Sequence, residues 1–287
     1  MMSRPIVLAA AFVVGAIACQ DPPPPPRIAA DGGAGARPPA GAVEVQYIAN
    51  EGVLLTAGED RVLIDGLHRA YRASYPFLPE PHSTALETAQ PPFDGIDLVL
   101  VSHHHLDHFH AEAVGRYLLN STETLLLSSA QVVGDIERTF AGFSRIRSRV
   151  TAVTPPVGTR TMTKAGGIEL VVLGVGHGTG RNEEVQNLGH IVTLGGRTFL
   201  HLGDAATDDR SIFERLRLAD ARIDVAFLPI WFLTDEDGQA IVRDLIRPAR
   251  IVAVHMPAAA PERSAAQARR AFPGAHFFTT LLERVTY

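Results

Sequence analysis

The stretch Asp97-Leu98-Val99-Leu100-Val101-Ser102-His103-His104-His105-Leu106-Asp107-His108 decides how this chain is read. From Asp97 to Val101 the run is short and apolar, the mark of a strand buried on both faces. It opens directly onto three histidines, an aspartate and a fourth histidine. Imidazole and carboxylate are the ligand groups of zinc and similar divalent metals. His103 and His105 stand two apart at a strand end, so their side chains can point the same way. Asp107 and His108 lie one turn further, at the expected start of the next helix. A lone histidine is usually structural, and a histidine-rich run can be a solvated surface feature. This run follows a core strand in an α/β setting, where sites form at carboxyl ends of strands. That position favours a metal site.

Outward from this segment, strands and helices alternate. Val43–Tyr47, Val53–Thr56 and Arg61–Asp65 read as an antiparallel meander, with a turn at Gly58-Glu59-Asp60. Residues 66–95 carry several prolines and little periodicity, so a long loop is expected there. A helix is expected over Ala111–Leu119, a strand at Leu125–Leu127 and a helix over Gln131–Thr139. Strands follow at Ile168–Val175, Gly189–Leu194 and Arg197–Leu202, the last two joined by a Gly195-Gly196 hairpin turn. Later come a helix (Asp209–Leu218), a strand (Val225–Ile230), a helix (Glu236–Ile246) and a strand (Arg250–His255). A helix (Pro261–Ala271) and a strand (Ala275–Phe278) close the chain. The mixture predicts an α/β or α+β sandwich with helices outside. No repeat of fixed period is visible. Gly174, Gly176, Gly178 and Gly180 lack the spacing and the following helix of a dinucleotide-binding turn.

The 287 residues suit one large domain or two small ones, and 26 Lys+Arg against 31 Asp+Glu leave a formal charge of −5. With no basic excess, a nucleic-acid partner is not expected. The single cysteine, Cys19, excludes an intrachain disulfide. Residues 1–19 read as a secretory signal, with Arg4 ahead of the apolar stretch Ile6–Ala18, too short to span a bilayer comfortably. Ala16-Ile17-Ala18-Cys19 resembles the lipobox of bacterial lipoproteins, whose cysteine is lipidated; cleavage after Ala18 with a free thiol is the plainer alternative. Residues 20–41, with Pro22–Pro26 and a glycine-rich stretch, read as a linker. The domain is expected over residues 42–287. The expected location is the periplasmic side of a bacterial cell envelope, with the membrane reached through the lipid on Cys19.

His103-His104-His105-Leu106-Asp107-His108 matches the His-x-His-x-Asp-His motif of the metallo-β-lactamase-fold hydrolases, and the chain from Val43 onward resembles that superfamily in order. The resemblance implies a single-domain αββα sandwich with a metal site between loops at one sheet edge. It also points to three later positions, each after an apolar strand run: His177 in Leu173-Gly174-Val175-Gly176-His177, Asp204 in Gly203-Asp204, and His255 at the end of Ile251-Val252-Ala253-Val254. By resemblance, His103, His105 and His177 hold one ion, Asp107, His108 and His255 a second, and Asp204 bridges. The implied cofactors are two divalent ions, zinc in the first place, with manganese and iron open. His190 and His201 lie within strands and read as buried partners behind the ligands. Asp65 reads either as a brace for a ligand histidine or as a strand-end cap. His68 and His110 read as solvated loop residues, with a place at the pocket border as the alternative.

Zinc β-lactamases carry a cysteine where this chain has Asp204, so lactamase activity is disfavoured. The diiron flavoprotein members carry glutamate where this chain has His105, which points to hydrolysis. Asn187–Val192, Thr198–Asp204 and the opening from Tyr47 to Gly66 resemble the branch of ascorbate-6-phosphate lactonases and N-acyl phosphatidylethanolamine phospholipases. The chain departs from that branch at His190 and Ala205. A dinuclear hydrolase is therefore expected, in which a hydroxide shared by the metals attacks an ester, lactone or phosphodiester, with Asp107 or Asp204 orienting it and carrying a proton. Two alternatives stand beside it: a metal-binding envelope lipoprotein without turnover, and a membrane-phospholipid hydrolase. For the last, Tyr71–Leu78 and Ile230–Leu233 supply aromatics that could line a lipid-binding mouth, although core packing explains the second segment equally well.

Overall fold

The structure is a computed structural model and describes residues 27–29, 41–258 and 261–287. Cys19, the signal-like segment and most of the linker lie outside the described residues. Within the linker, Arg27–Ala29 is tied to the domain: Ala29 N–H donates to Leu281 O (2.9 Å) and Leu281 N–H to Arg27 O (2.8 Å). No helix among the described residues is long and apolar enough to cross a membrane.

The first half of the chain runs β1 (Glu44–Ala49), β2 (Gly52–Ala57), β3 (Asp60–Ile64), α1 (His82–Glu87), β4 (Leu98–Leu100), α2 (Ala111–Asn120), β5 (Leu125–Ser128), α3 (Ala130–Thr139), α4 (Phe143–Ile146) and β6 (Val150–Ala152). The second runs β7 (Arg160–Ala165), β8 (Ile168–Val175), β9 (Asn187–Leu194), β10 (Arg197–His201), α5 (Arg210–Leu216), β11 (Val225–Pro229), α6 (Trp231–Thr234), α7 (Glu236–Ile241), β12 (Arg250–Val254), α8 (Pro261–Ala271), β13 (His276–Phe277) and β14 (Arg284–Thr286). They form two seven-stranded sheets, ordered β14-β1-β2-β3-β4-β5-β6 and β13-β12-β11-β10-β9-β8-β7. Each begins as an antiparallel meander and continues with parallel strands. This is the αββα sandwich implied by the motif.

Alternation along the strands explains the layers. In β11, Val225 and Phe227 point into the core shared by the two sheets, while Ala226 and Leu228 face α5–α8. Both faces are covered, so the sequence reads as an unbroken apolar run. Burying a side chain such as Phe227 contributes roughly 1.5–3 kcal/mol. Gly195 and Gly196 carry φ of 57° and 76°, as a two-residue hairpin turn joining β9 to β10 requires.

Four details differ from the sequence reading. The expected helix Glu236–Ile246 is α-helical only to Ile241 and continues as a π-helical turn over Val242–Ile246. The loop 66–95 contains α1. Strands β6, β7 and β14 were not anticipated; β6 and β7 are sheet edges, largely exposed, and so lack the apolar alternation that marks a half-buried strand. Asp107 and His108 do not open a helix: they lie in a turn closed by His108 N–H and Phe109 N–H on His105 O, and α2 begins only at Ala111. That turn folds the two side chains back toward the strand end.

Candidate metal centre

Strand ends at one edge of both sheets deliver the polar residues. β4 leads to His103–His108, β8 to His177, β10 to Asp204 and β12 to His255, while the β1–β2 turn brings Asn50 and Glu51. All seven positions singled out in the sequence come together. His177 Nε2 lies 3.2 Å from His103 Nε2 and 3.1 Å from His105 Nδ1. Asp204 Oδ2 faces this trio, 3.4 Å from His177 Nε2 and 3.9 Å from His103 Nε2. Its other oxygen, Oδ1, faces the second group, 3.2 Å from His108 Nε2 and 3.4 Å from His255 Nε2. Asp107 Oδ2 completes that group, 3.3 Å from His255 Nε2 and 3.6 Å from His108 Nε2.

The donor chemistry fits metal ions. Three imidazole nitrogens converging within hydrogen-bond distance cannot satisfy one another, since each neutral ring has one donor and one acceptor. Burial, then the neighbouring His108, holds His103 well below the usual imidazole range; burial, then His177, brings His105 down to about 4. These rings are neutral and keep a lone pair to give. In the second group burial opposes charge, yet Asp204 raises His108 well above its ordinary value and His255 to about 10. Those same imidazoles, against the effect of burial, hold Asp204 well below the carboxylate range. The carboxylates of this corner call for positive charge. His108 Nε2, His255 Nε2 and Asp204 Oδ1 are buried and make no hydrogen bond of proper geometry.

Supporting residues fix the ligands. Asp65, fully buried, accepts from Ser102 N–H at 2.7 Å and sits 3.0 Å from His108 Nδ1, which leaves His108 Nε2 to face the centre. It thus orients the His108 ring as well as ending the strand. Asn50 Nδ2 donates to Asp107 O (3.1 Å) and Oδ2 (3.3 Å). His255 N–H donates to Asn50 O at 3.1 Å, tying the end of β12 to the β1–β2 turn. Gly203 has φ 52°, and a Cβ there would lie 2.5 Å from Asn187 Oδ1 and 2.6 Å from Ser102 Cβ, so only glycine lets the chain turn Asp204 into place.

His201 and His190 are cross-strand partners, buried behind the ligands. His201 accepts from Gly203 N–H through Nδ1 and so donates from Nε2 to Glu51 O, 3.1 Å away. His190 has no partner on either ring nitrogen, and burial lowers it to about 3. A group kept neutral in the fold but titrating near 6.5 when unfolded leaves stability intact above that pH and removes it as pH falls toward its folded value. His190 is therefore expected to cost about 2 kcal/mol of stability by pH 5. Urea unfolding of His190→Leu at pH 7 and pH 5 checks this: its stability should fall less with acid than the wild type's by about that amount. An equal acid response in both would refute the assignment. His68 is buried and lowered to about 4 by burial, while His110 precedes α2 and is part-exposed.

Sequence reasoning missed Glu51. It reads as an ordinary turn residue in Asn50-Glu51-Gly52, yet it is fully buried within reach of His108 and Asp204. Burial, then Asp204, pushes its carboxyl well above the usual range. Sequence also left open which aromatics face the centre. Tyr75 and Trp231 both meet the His255 ring edge-on, at centroid distances of 5.5 and 5.1 Å, and Trp231 Nε1 is pinned to Ala205 O at 2.9 Å. Beside them a cleft of about 340 Å³ is lined by His177, Asn182, Asp204, Ala206, Thr207 and Trp231 among others.

Comparison with known proteins agrees with this geometry. The UPF0173 metal-dependent hydrolase TTHA1283 of Thermus thermophilus is 27% identical over 222 residues, covering 74% of this chain and 83% of that protein. Among solved structures, a "possible metal-dependent hydrolase" from Veillonella parvula superposes with a TM-score of 0.60 at 18% identity, covering 85% of this chain and 99% of that one. The metallo hydrolase Igni18 from Ignicoccus hospitalis superposes with a TM-score of 0.57 at 16% identity, covering 86% and 98%. These likenesses concern the fold. The profile of the β-lactamase superfamily domain matches residues 60–279, from β3 to past β13 and so across every strand-end histidine and aspartate described above; with two mixed sheets and this motif at their edge, the chain belongs to the metallo-β-lactamase superfamily.

Proposed function

We propose that this chain is a metal-dependent hydrolase holding two divalent ions, zinc in the first place at the His103–His105–His177 group, and that it cleaves a neutral ester or lactone. One observation carries the two-ion reading: the two oxygens of Asp204 are divided between the His103–His105–His177 group and the Asp107–His108–His255 group. The name of the Thermus relative supports hydrolysis. Bound ions of this kind acidify water toward neutrality and polarise the bond to be cleaved. The chain's own residues do the rest. His103, His105 and His177 would hold one ion, His103 and His105 with neutral rings; Asp107, His108 and His255 would hold the other. Asp204, with its two oxygens given to the two groups, would orient the attacking water, and Asp107 would carry its proton. Trp231, fixed through its indole N–H, forms a rigid wall of the cleft.

The cleft has the volume of a small-molecule site. Its lining carries Asp208 and no arginine or lysine, which favours an acyl substrate over a phosphodiester. The rim supports a lipid as the second reading: Tyr71, 43% exposed, stacks on Tyr75 at 6.3 Å, next to His255. An anchor on Cys19 would hold that rim near headgroups on the periplasmic side of the envelope.

Elemental mass spectrometry and a screen of esters, lactones and phosphodiesters test the proposal. Two ions per chain are expected, with turnover abolished by chelation and restored by zinc or manganese. A protein that takes up no metal on titration, or turns over equally well after chelation, would overturn it.

A further inference from the structure

Glu51 stands outside the seven residues used so far. It sits in the turn between β1 and β2, at 0% exposure, and neither carboxylate oxygen has a hydrogen-bond donor. A buried carboxylate without donors is costly unless it meets a cation. Among the described residues no arginine or lysine is paired with it: the ring that faces it is His201, neutral, whose Nε2 lies 3.6 Å from Oε2 and already donates to the Glu51 carbonyl.

Two groups of potential ligand atoms include it, each with all atoms within 4.8 Å of one another. The first is Glu51, Asp65 and His201. Hydrogen bonding excludes an ion there. His201 uses its lone pair on Gly203 N–H, and both Asp65 oxygens are engaged by Ser102, with Oδ2 also facing His108. The second is Glu51, His108 and Asp204. Here His108 Nε2, Asp204 Oδ1 and both Glu51 oxygens lack proper hydrogen-bond partners. Ligands on opposite sides of one ion, with bonds of about 2.1 Å, lie about 4.2 Å apart, so this spacing suits a shared ion.

We propose that Glu51 is a further ligand of the Asp107–His108–His255 centre, and that this added carboxylate makes that centre prefer an oxygen-seeking divalent cation, manganese(II) or iron(II), over zinc. The proposal rests on the two-ion reading above and deepens it. With Asp107, Asp204 and Glu51 the centre offers three carboxylates and two imidazoles. The His103–His105–His177 centre offers three imidazoles and one carboxylate. Carboxylate-rich sets suit manganese, while imidazole suits zinc. The two halves of one site would then differ in metal, and the difference originates in a turn residue.

The test compares metal-stripped wild type with Glu51→Gln. Each is titrated with manganese and with zinc, singly and in equal mixture, and bound metal per chain is read by elemental analysis. Glu51→Gln should lose manganese affinity at one site by at least about tenfold, change little in zinc affinity, and shift the mixture toward zinc. The metal-stripped variant should unfold at a urea midpoint close to wild type, because neither Glu51 oxygen has a hydrogen-bond donor to lose. Unchanged affinity and selectivity would overturn the proposal, as would a lowered midpoint with unchanged metal binding, which marks a purely structural role. Glu51→Asp, which keeps the charge but draws it back by one methylene, gives the same comparison should Glu51→Gln fail to fold. Wild type that binds neither metal would overturn the two-ion reading and this proposal with it. Wild type that binds both, with Glu51→Gln identical, would remove this proposal alone.

Discussion

Replacing His105 by alanine is expected to strip the His103–His105–His177 centre of its ion and to lower turnover by at least about a thousandfold, some 4 kcal/mol in the barrier. The effect is expected to be this large because His105 is one of only three imidazoles there, its Nδ1 3.1 Å from His177 Nε2. Two rings and one oxygen of Asp204 would remain, too few to hold an ion against water. The fold should survive. His105 is part-exposed in a turn rather than set in the core, so truncating it opens no cavity of the kind that destabilises by several kcal/mol. Far-UV circular dichroism and a urea midpoint close to wild type would establish that. Elemental analysis and kinetics on the same preparation then decide. Full turnover with metal retained would show that the histidine cluster is not the catalytic centre.

Much of this arrangement was legible in the sequence because of where strands stop. An apolar run ending in a histidine or an aspartate is visible without a structure, and four such ends carry His103–His108, His177, Asp204 and His255. The sandwich was legible for the same reason, since buried strands have patterns that exposed ones lack. Where a strand is exposed, as in β7 with Met162 84% exposed, or is short and late, as in β14, the pattern vanishes and pairing alone defines it. Glu51 was illegible on other grounds. Its neighbours, Asn50 and Gly52, are turn formers, and a glutamate in a turn reads as solvated. Only the closure of β1–β2 against β12, through His255 N–H on Asn50 O, buries it. The turn at His105–Phe109 was misplaced because four polar residues ahead of a helix resemble its first turn. What ends the irregular stretch is the backbone pairing of His110 N–H with Leu67 O, a contact between distant segments.

Asp65→Asn is expected to weaken metal binding at the Asp107–His108–His255 centre by about 10–100-fold and to destabilise the protein by roughly 3 kcal/mol. Asparagine keeps the size of the side chain and tolerates the left-handed backbone at this position, φ 47°, so neither volume nor strain accounts for the loss. The change is one of hydrogen-bond polarity. Asp65 meets Ser102 N–H with Oδ1 and faces Ser102 Oγ and His108 Nδ1 with Oδ2. As a carboxylate it requires a proton on His108 Nδ1, leaving the lone pair on Nε2, 3.2 Å from Asp204 Oδ1. An amide can accept from Ser102 N–H with its oxygen, but its NH2 then faces His108. The imidazole must accept on Nδ1 and carry its proton on Nε2, where the lone pair is needed. If the amide turns over instead, Ser102 N–H is left facing a donor at 2.7 Å inside the core. Either way one buried group is unsatisfied. Metal titration and urea unfolding of the variant measure the two effects separately. Nitrogen-15 shifts of His108 in the metal-loaded proteins would report the change directly: a proton on Nδ1 in wild type and none there in Asp65→Asn is the expected pair. Wild-type metal affinity in the variant would mean that Asp65 serves only the packing of the β3 end.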